Sequence, residues 1–250
     1  MGARAGVLGL VALMLGGCAN TPPDDPSDPL ETVNRGIYSF NHAADKYVLR
    51  PVAKGYDTVA PSFVRTGIAN FFGNLYYPTT IVNDALQLKP LQFAEDIGRF
   101  TLNTTFGLGG IIDAATPVGL AAHDEDFGQT LGYWGVGPGW YLMLPLLGPA
   151  DNRDLVGRAG DWFTRPVSYV SFWPGLGLSA MDTIEKRAEF LGADHIVDDQ
   201  LDPYVFIRTI YLQQRLNAVY DGNPPKEDFG LDDDNTPMPD PQKPKTPKNP

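Results

Sequence analysis

Residues 28–47 read DPLETVNRGIYSFNHAADKY, and their spacing decides the fold class. Val33, Ile37, Phe40 and Ala44 recur every three or four positions, which puts them on one side of an α-helix. Asp28 offers a capping oxygen, and Pro29 suits a first helical position, where its missing N–H costs nothing. Pro51 is expected to end the run. The same period continues outward from this stretch. It recurs in residues 62–75 (Ile68, Phe71, Phe72, Leu75) and 79–88 (Ile81, Val82, Ala85, Leu86). Residues 90–104 carry Phe93, Ile97 and Phe100 on one face, with Glu95, Arg99 and Asn103 off it. Residues 179–191 carry Ile184, Ala188 and Leu191. A last run opens at Asp202-Pro203 and proceeds through Tyr204, Ile207, Ile210, Tyr211 and Val219. No stretch sustains a period of two and no internal repeat is evident, so an all-α body without a large sheet is expected.

Two stretches break the pattern. Residues 106–112 read FGLGGII, and residues 128–147 read GQTLGYWGVGPGWYLMLPLL. Both are apolar and dense in Gly, which weakens helices and permits tight turns. The second is expected to form a Gly-rich hairpin. Tyr133, Trp134, Trp140 and Tyr141 combine apolar rings with polar tips, the residue types that favour a membrane interface. Pro145 interrupts the apolar run 140–147, which is too short to span a bilayer.

The ends of the chain differ from the middle. Arg4, the apolar stretch 7–15 and Leu15-Gly16-Gly17-Cys18 form the three parts of an export signal. Cys18 is the chain's one Cys, so it has no internal disulfide partner. It stands where lipoprotein signals carry an acylated thiol, and several acyl chains on one residue anchor firmly. Residues 1–17 are therefore assigned to the signal and 18–28 to a lipidated tether. Ala19 after the Cys, in place of Asp, favours the outer membrane among bacterial lipoproteins. Residues 29–221 form the body, and 222–250 read as a disordered tail rich in Pro and charge. The net charge of −11 argues against nucleic acid, which needs a basic face.

Catalytic patterns are missing from the sequence. His42, His123 and His195 stand far apart with no metal-ligand spacing. His123-Asp124-Glu125-Asp126 reads as a solvated acidic turn. Gly107 to Gly110 lacks the Lys of a phosphate loop, and no Gly-x-Ser-x-Gly elbow occurs. No enzymatic activity, metal or cofactor is expected.

Several strings together resemble the MlaA (VacJ) family of outer-membrane phospholipid-transport lipoproteins. They are DPLETVNRGIYSFN from Asp28, RPVAKGY from Arg50, NFFGNLYYPTTIVNDALQ from Asn70, RFTLNTTFGLGGIIDAA from Arg99, FGQTLGYWGVGPGWYLMLPLLGP from Phe127 and DPYVFIRTIYLQQR from Asp202. The resemblance implies an all-helical, disc- or ring-like bundle of amphipathic helices around a central polar channel, lying in the periplasmic leaflet of the outer membrane. It implies removal of phospholipid from the outer leaflet, delivery to the soluble periplasmic carrier MlaC, and complexes with trimeric porins, without ATP at this protein.

On this reading Phe40 and Asn41, Arg99, Asn103, Arg187 and Arg208 are candidate channel or gating residues, since Arg matches phosphate geometry. Each Arg has a blander reading as a surface ion pair. Gly128, Gly132, Gly135, Gly137 and Gly139 are a candidate hairpin gate. Pro145, Leu146, Leu147 and Arg153 are a candidate porin contact. Phe71, Phe72, Tyr76 and Tyr77 could face acyl chains. A porin-associated lipoprotein that carries no lipid, and a lipid hydrolase, remain as other readings.

Overall fold

The computed structural model describes residues 27–225. The signal, Cys18, the tether up to residue 26 and the tail beyond 225 lie outside the described residues. The body is helical, with one small antiparallel sheet. Helix α1 spans Glu31–Ala44, passes through a π turn at Asp45–Leu49, and continues as α2, Arg50–Val59. Pro51 therefore does not stop it. The wider π turn opens the ladder just where the proline ring and its missing donor would interrupt it. Asp28 does not cap the helix through its side chain. Its carboxylate is fully buried and accepts from Asn34 Nδ2 at 2.8 Å, Arg208 Nη1 at 2.9 Å and the Tyr204 hydroxyl.

Helix α3, Ser62–Leu86, runs through Pro78, so the two helices expected at 62–75 and 79–88 are one. Its packing on α4, Pro90–Thr105, outweighs the roughly 3 kcal/mol that an interior Pro costs. After a loop come α5, Phe127–Tyr133, and the strands β1, Tyr141–Leu144, and β2, Gly148–Asp151, with Tyr141 opposite Asp151. The hairpin is thus offset from the expected one: Gly128 and Gly132 belong to a helix. Helices α6, Asn152–Asp161, α7, Phe172–Glu189, α8, Asp194–Asp198, and α9, Pro203–Val219, complete the body. Asp126, Asp151 and Asp202 each accept a backbone N–H at the start of α5, α6 and α9.

Two Asn side chains on α1 fix the hairpin. Asn34 donates to Tyr141 O at 3.1 Å and accepts from Met143 N at 2.9 Å. Two turns later Asn41 donates to Leu144 O at 2.9 Å and accepts from Leu146 N at 2.8 Å. Each amide pairs with a strand edge that would otherwise hold unmet donors and acceptors. The small apolar core lies beside them, around Tyr141, Met143 and Tyr204.

The distribution of polarity is inverted. Among the described residues, buried polar and charged side chains outnumber buried apolar ones. On α3 the buried face carries Asn74, Tyr77, Thr80, Asn83 and Asp84, with Gln87 buried just past its end; on α4 it carries Asp96, Arg99 and Asn103. The apolar side chains Val82, Leu91 and Ile97 face outward. The rim includes Phe63, Trp162, Phe163, Phe172 and Trp173, the last 76% exposed. Burying polar groups without partners is costly, and water disfavours so much apolar surface. Hydrocarbon outside and hydrogen bonds inside remove both costs. No described helix is long and apolar enough to cross a membrane.

Candidate functional site

Helix α6 carries a charged stripe at helical spacing: Asp154, Arg158 and Asp161, preceded by the cap Asp151 and followed by Arg165. The opposite face is apolar, with Leu155, Val156, Trp162 and Phe163 exposed. The stripe faces a cavity of about 460 Å³ lined by Asp126, Leu147, Asp154, Arg158, Asp161, Arg165, Tyr211 and Arg215. That volume falls in the range of small-ligand sites.

Inside the cavity the charges divide into a tied set and an open set. Arg215, on α9, donates to Asp126 at 2.6 and 2.9 Å and to Asp154 at 2.8 Å. Tyr211 donates to the other Asp154 oxygen. Burial works against the Arg215 charge, but Asp126 and Asp154 more than offset it, so its pKa is raised. Burial likewise opposes the Asp126 charge, and Arg215 reverses that and holds its carboxyl low. Asp161 accepts from Phe127 N at 2.9 Å, and burial pushes its carboxyl up. Arg158 donates to Pro149 O at 2.7 Å and Leu147 O at 3.4 Å, with no carboxylate within ion-pair distance among the described residues. Arg165 has no carboxylate within ion-pair distance among the described residues, and its guanidinium lies 5.7 Å from the centre of the Tyr76 ring. Two cations are thus open to an anion, and a guanidinium matches phosphate in shape as well as charge.

Arg165 also lines a second cavity of about 360 Å³ with Tyr76, Trp162, Val167, Ser168, Val170, Phe172 and Leu176. Polar and aromatic space therefore meet at one guanidinium. Lys186 approaches the same Tyr76 ring at 5.3 Å. An amphiphile with an anionic head fits this junction, the head at the cations and the chains along the aromatic rim.

The residues expected from sequence stand elsewhere. Arg99 pairs with Asp113 at 2.7 Å and donates to Leu120 O at 2.6 Å, which pins the loop after α4. Asn103 accepts from Ala114 and Ala115 N, 2.8 and 3.0 Å, in the same loop. Arg187 joins α7 to Asp45 at 2.6 Å and Asp194 at 2.7 Å. Arg208 meets buried Asp28. These pairs are largely withdrawn from solvent, unlike the surface pairs of the blander reading. Phe40 is exposed and Asn41 holds the hairpin turn.

Gly128 and Gly132 are packing positions: added Cβ atoms would meet Asp154 Oδ1 at 2.6 Å and Val219 Cγ2 at 2.7 Å. Gly135 and Gly139 have positive φ, 90° and 72°, and Gly137 stands in open space. With Gly132 they line a recess of about 380 Å³ against Leu212, Leu216 and Val219. Pro145, Leu146 and Leu147 are exposed at the hairpin tip. Arg153 is buried beside Asp151 and Asp154, so it supports the hairpin base and offers no surface to a partner. Phe72 and Tyr77 are buried too, with Tyr77 donating to Asp96 at 2.7 Å.

The acidic turn 123–126 is not simply solvated. Glu125 is buried and accepts from Gln87 at 2.7 Å and Lys89 at 2.8 Å. Sequence reasoning missed Arg158 and Arg165. The signal that would have found them is the alternating stripe at 151, 154, 158, 161 and 165, with apolar pairs at 155–156 and 162–163.

The MlaA lipoprotein family model matches residues 26–218. The chain is 38% identical to the intermembrane phospholipid transport system lipoprotein MlaA of Escherichia coli (strain K12), over 84% of this chain and 86% of that one. It is 33% identical to the protein of the same name from Haemophilus influenzae, over 90% and 94%. A solved structure described as the structural basis for maintenance of bacterial outer membrane lipid asymmetry superposes with a TM-score of 0.71 at 38% identity. It covers 79% of this chain and 100% of that one.

Proposed function

From the premise that this chain belongs to the MlaA lipoprotein family, we propose that it carries phospholipid out of the outer leaflet of the outer membrane and so maintains lipid asymmetry. The observation that carries the mechanism is the cavity in which Arg158 and Arg165 stand without an ion pair among the described residues, bordered by an apolar rim. A phospholipid crossing between leaflets must move a charged head through hydrocarbon, at a cost of several kcal/mol or more. A polar interior with open cations lowers that barrier by replacing lost hydration at the phosphate. The exposed aromatic and aliphatic rim keeps the acyl chains in an apolar medium throughout. The step breaks no covalent bond and calls for no catalytic base.

The finer assignments follow from this reading. The body lies in the periplasmic leaflet, held by acylated Cys18, and a soluble periplasmic carrier of the MlaC type takes the lipid onward. A trimeric porin meets the hairpin tip at Pro145, Leu146 and Leu147. Phe40 and Asn41 control the opening, because Asn41 ties α1 to that tip. Photo-crosslinkers at Leu146 and Leu147 are expected to capture a porin.

The test is a surface-restricted phospholipid label on cells lacking the protein. Outer-leaflet phospholipid should accumulate, and the native chain should reverse it. An Arg158→Ala/Arg165→Ala chain at equal abundance should clear it about tenfold more slowly or worse, as loss of charge-assisted hydrogen bonds implies. Unchanged asymmetry in cells lacking the protein would overturn the transport reading.

A further inference from the structure

A third polar cavity lies away from the Arg158 site, between α2, α3 and the far face of α7. It encloses about 360 Å³, and its lining includes Tyr56, Arg65, Thr66, Asn70, Glu185 and Glu189. Glu185 is 4% exposed and lines this space, with the Glu189 carboxyl within hydrogen-bonding reach. The Tyr56 hydroxyl and Arg65 Nε are buried and without partners among the described residues. Asp57 holds another guanidinium nitrogen of Arg65, leaving Nε as the open donor. Glu185, Arg65 and Glu189 all act on the Tyr56 hydroxyl, so acidic and basic groups share one enclosure. Buried polar groups without partners are rare and point to a missing ligand.

We infer that this cavity binds the headgroup of a phospholipid bearing a primary ammonium, the ammonium between Glu185 and Glu189 and the phosphate toward Arg65. This rests on the transport reading for the origin of the lipid. A bare divalent cation is disfavoured because Arg65 shares the space. A quaternary ammonium cannot donate to carboxylates and prefers an aromatic cage, whereas Tyr56 is the one ring here. An anionic glycerol headgroup would meet two carboxylates. A primary ammonium supplies three N–H donors, and the wall offers carboxylate, hydroxyl and amide oxygens to receive them. Exposed Val59, Phe63 and Phe190 flank the lining segments and suit the acyl chains. Burial, and then Glu189, pushes the Glu185 carboxyl up to about 7. An ammonium bound there would hold it ionised.

The experiment equilibrates the full-length lipoprotein in detergent with equal amounts of phosphatidylethanolamine, phosphatidylcholine and phosphatidylglycerol, and measures the co-purifying lipid by mass spectrometry. Phosphatidylethanolamine should be enriched about tenfold over the others. Glu185→Gln and Glu189→Gln should each bring the ratio near unity, and O-phosphoethanolamine should displace the lipid. Glu189 is exposed, so its variant tests the site without disturbing the interior. Equal recovery of the three lipids, or enrichment unchanged in both variants, would overturn the assignment. Enrichment resistant to O-phosphoethanolamine would also overturn it, since the chains and not the head would then be recognised. Asymmetry unchanged in cells lacking the protein would instead strike the transport reading alone.

Discussion

Asp84 shows what an inverted interior asks of a single residue. It is fully buried on α3 beside Asp96, and neither of its oxygens meets a donor from another residue type. Asp96 already accepts from Tyr77 at 2.7 Å and faces His123 Nδ1 at 2.9 Å. Burial, reinforced by Asp96, pushes the Asp84 carboxyl from 3.8 up to about 8, so Asp84 keeps its proton at neutral pH. A carboxyl raised in the folded state binds its proton more tightly there than in the unfolded chain. Its contribution is full below about pH 4, declines as pH rises, and is lost above about pH 8. Asp84→Asn replaces the titrating proton with permanent N–H donors. Its melting temperature relative to the native chain should therefore rise between pH 5 and pH 9. Parallel melting profiles across that interval would show that Asp84 does not titrate there.

At the scale of elements, close glycine contacts set how α5 meets α6. A Cβ on Gly157 would stand 2.5 Å from Gly128 N, a backbone atom that cannot swing aside. Gly157→Ala should lower the melting temperature by several degrees, the shift about 1–3 kcal/mol of overpacking gives. Gly137→Ala meets nothing within 4 Å and has no positive φ, so it should leave stability within about 0.5 kcal/mol. Equal losses at both positions would remove the distinction between packing and loop glycines. The same elements show what the sequence made legible. The run from Asp202-Pro203 to Val219 has a capping carboxylate and an unbroken period, and α9 follows it closely. Pro51 misled, because a π turn carries the helix through it, and the two helices expected at 62–75 and 79–88 are one, which runs through Pro78 by packing on α4. The hairpin was displaced along the chain because Gly density marks both turns and helix crossings, and only the partner across the contact tells which. Arg99, Asn103, Arg187 and Arg208 were legible as inward polar positions on helices. That they bind the protein's own loops and caps, leaving Arg158 and Arg165 open, depends on contacts distant in sequence.

Across the described residues, α3, α4 and α6 bury polar side chains and turn apolar ones outward, so the hydrophobic effect stabilises much of the body through its surroundings. The proposed position in one leaflet would supply those surroundings without a spanning helix. The four tryptophans report on this directly, for Trp134, Trp140, Trp162 and Trp173 are all at least half exposed. The decisive measurement is their fluorescence in the lipidated protein reconstituted into bilayers. Phospholipids brominated on the acyl chain serve as one quencher and aqueous iodide as the other. Strong quenching by the brominated chains with little by iodide is the expected result. The reverse, tryptophans open to iodide and untouched by bromine, would contradict an apolar exterior immersed in lipid, and with it the polar interior as a lipid path.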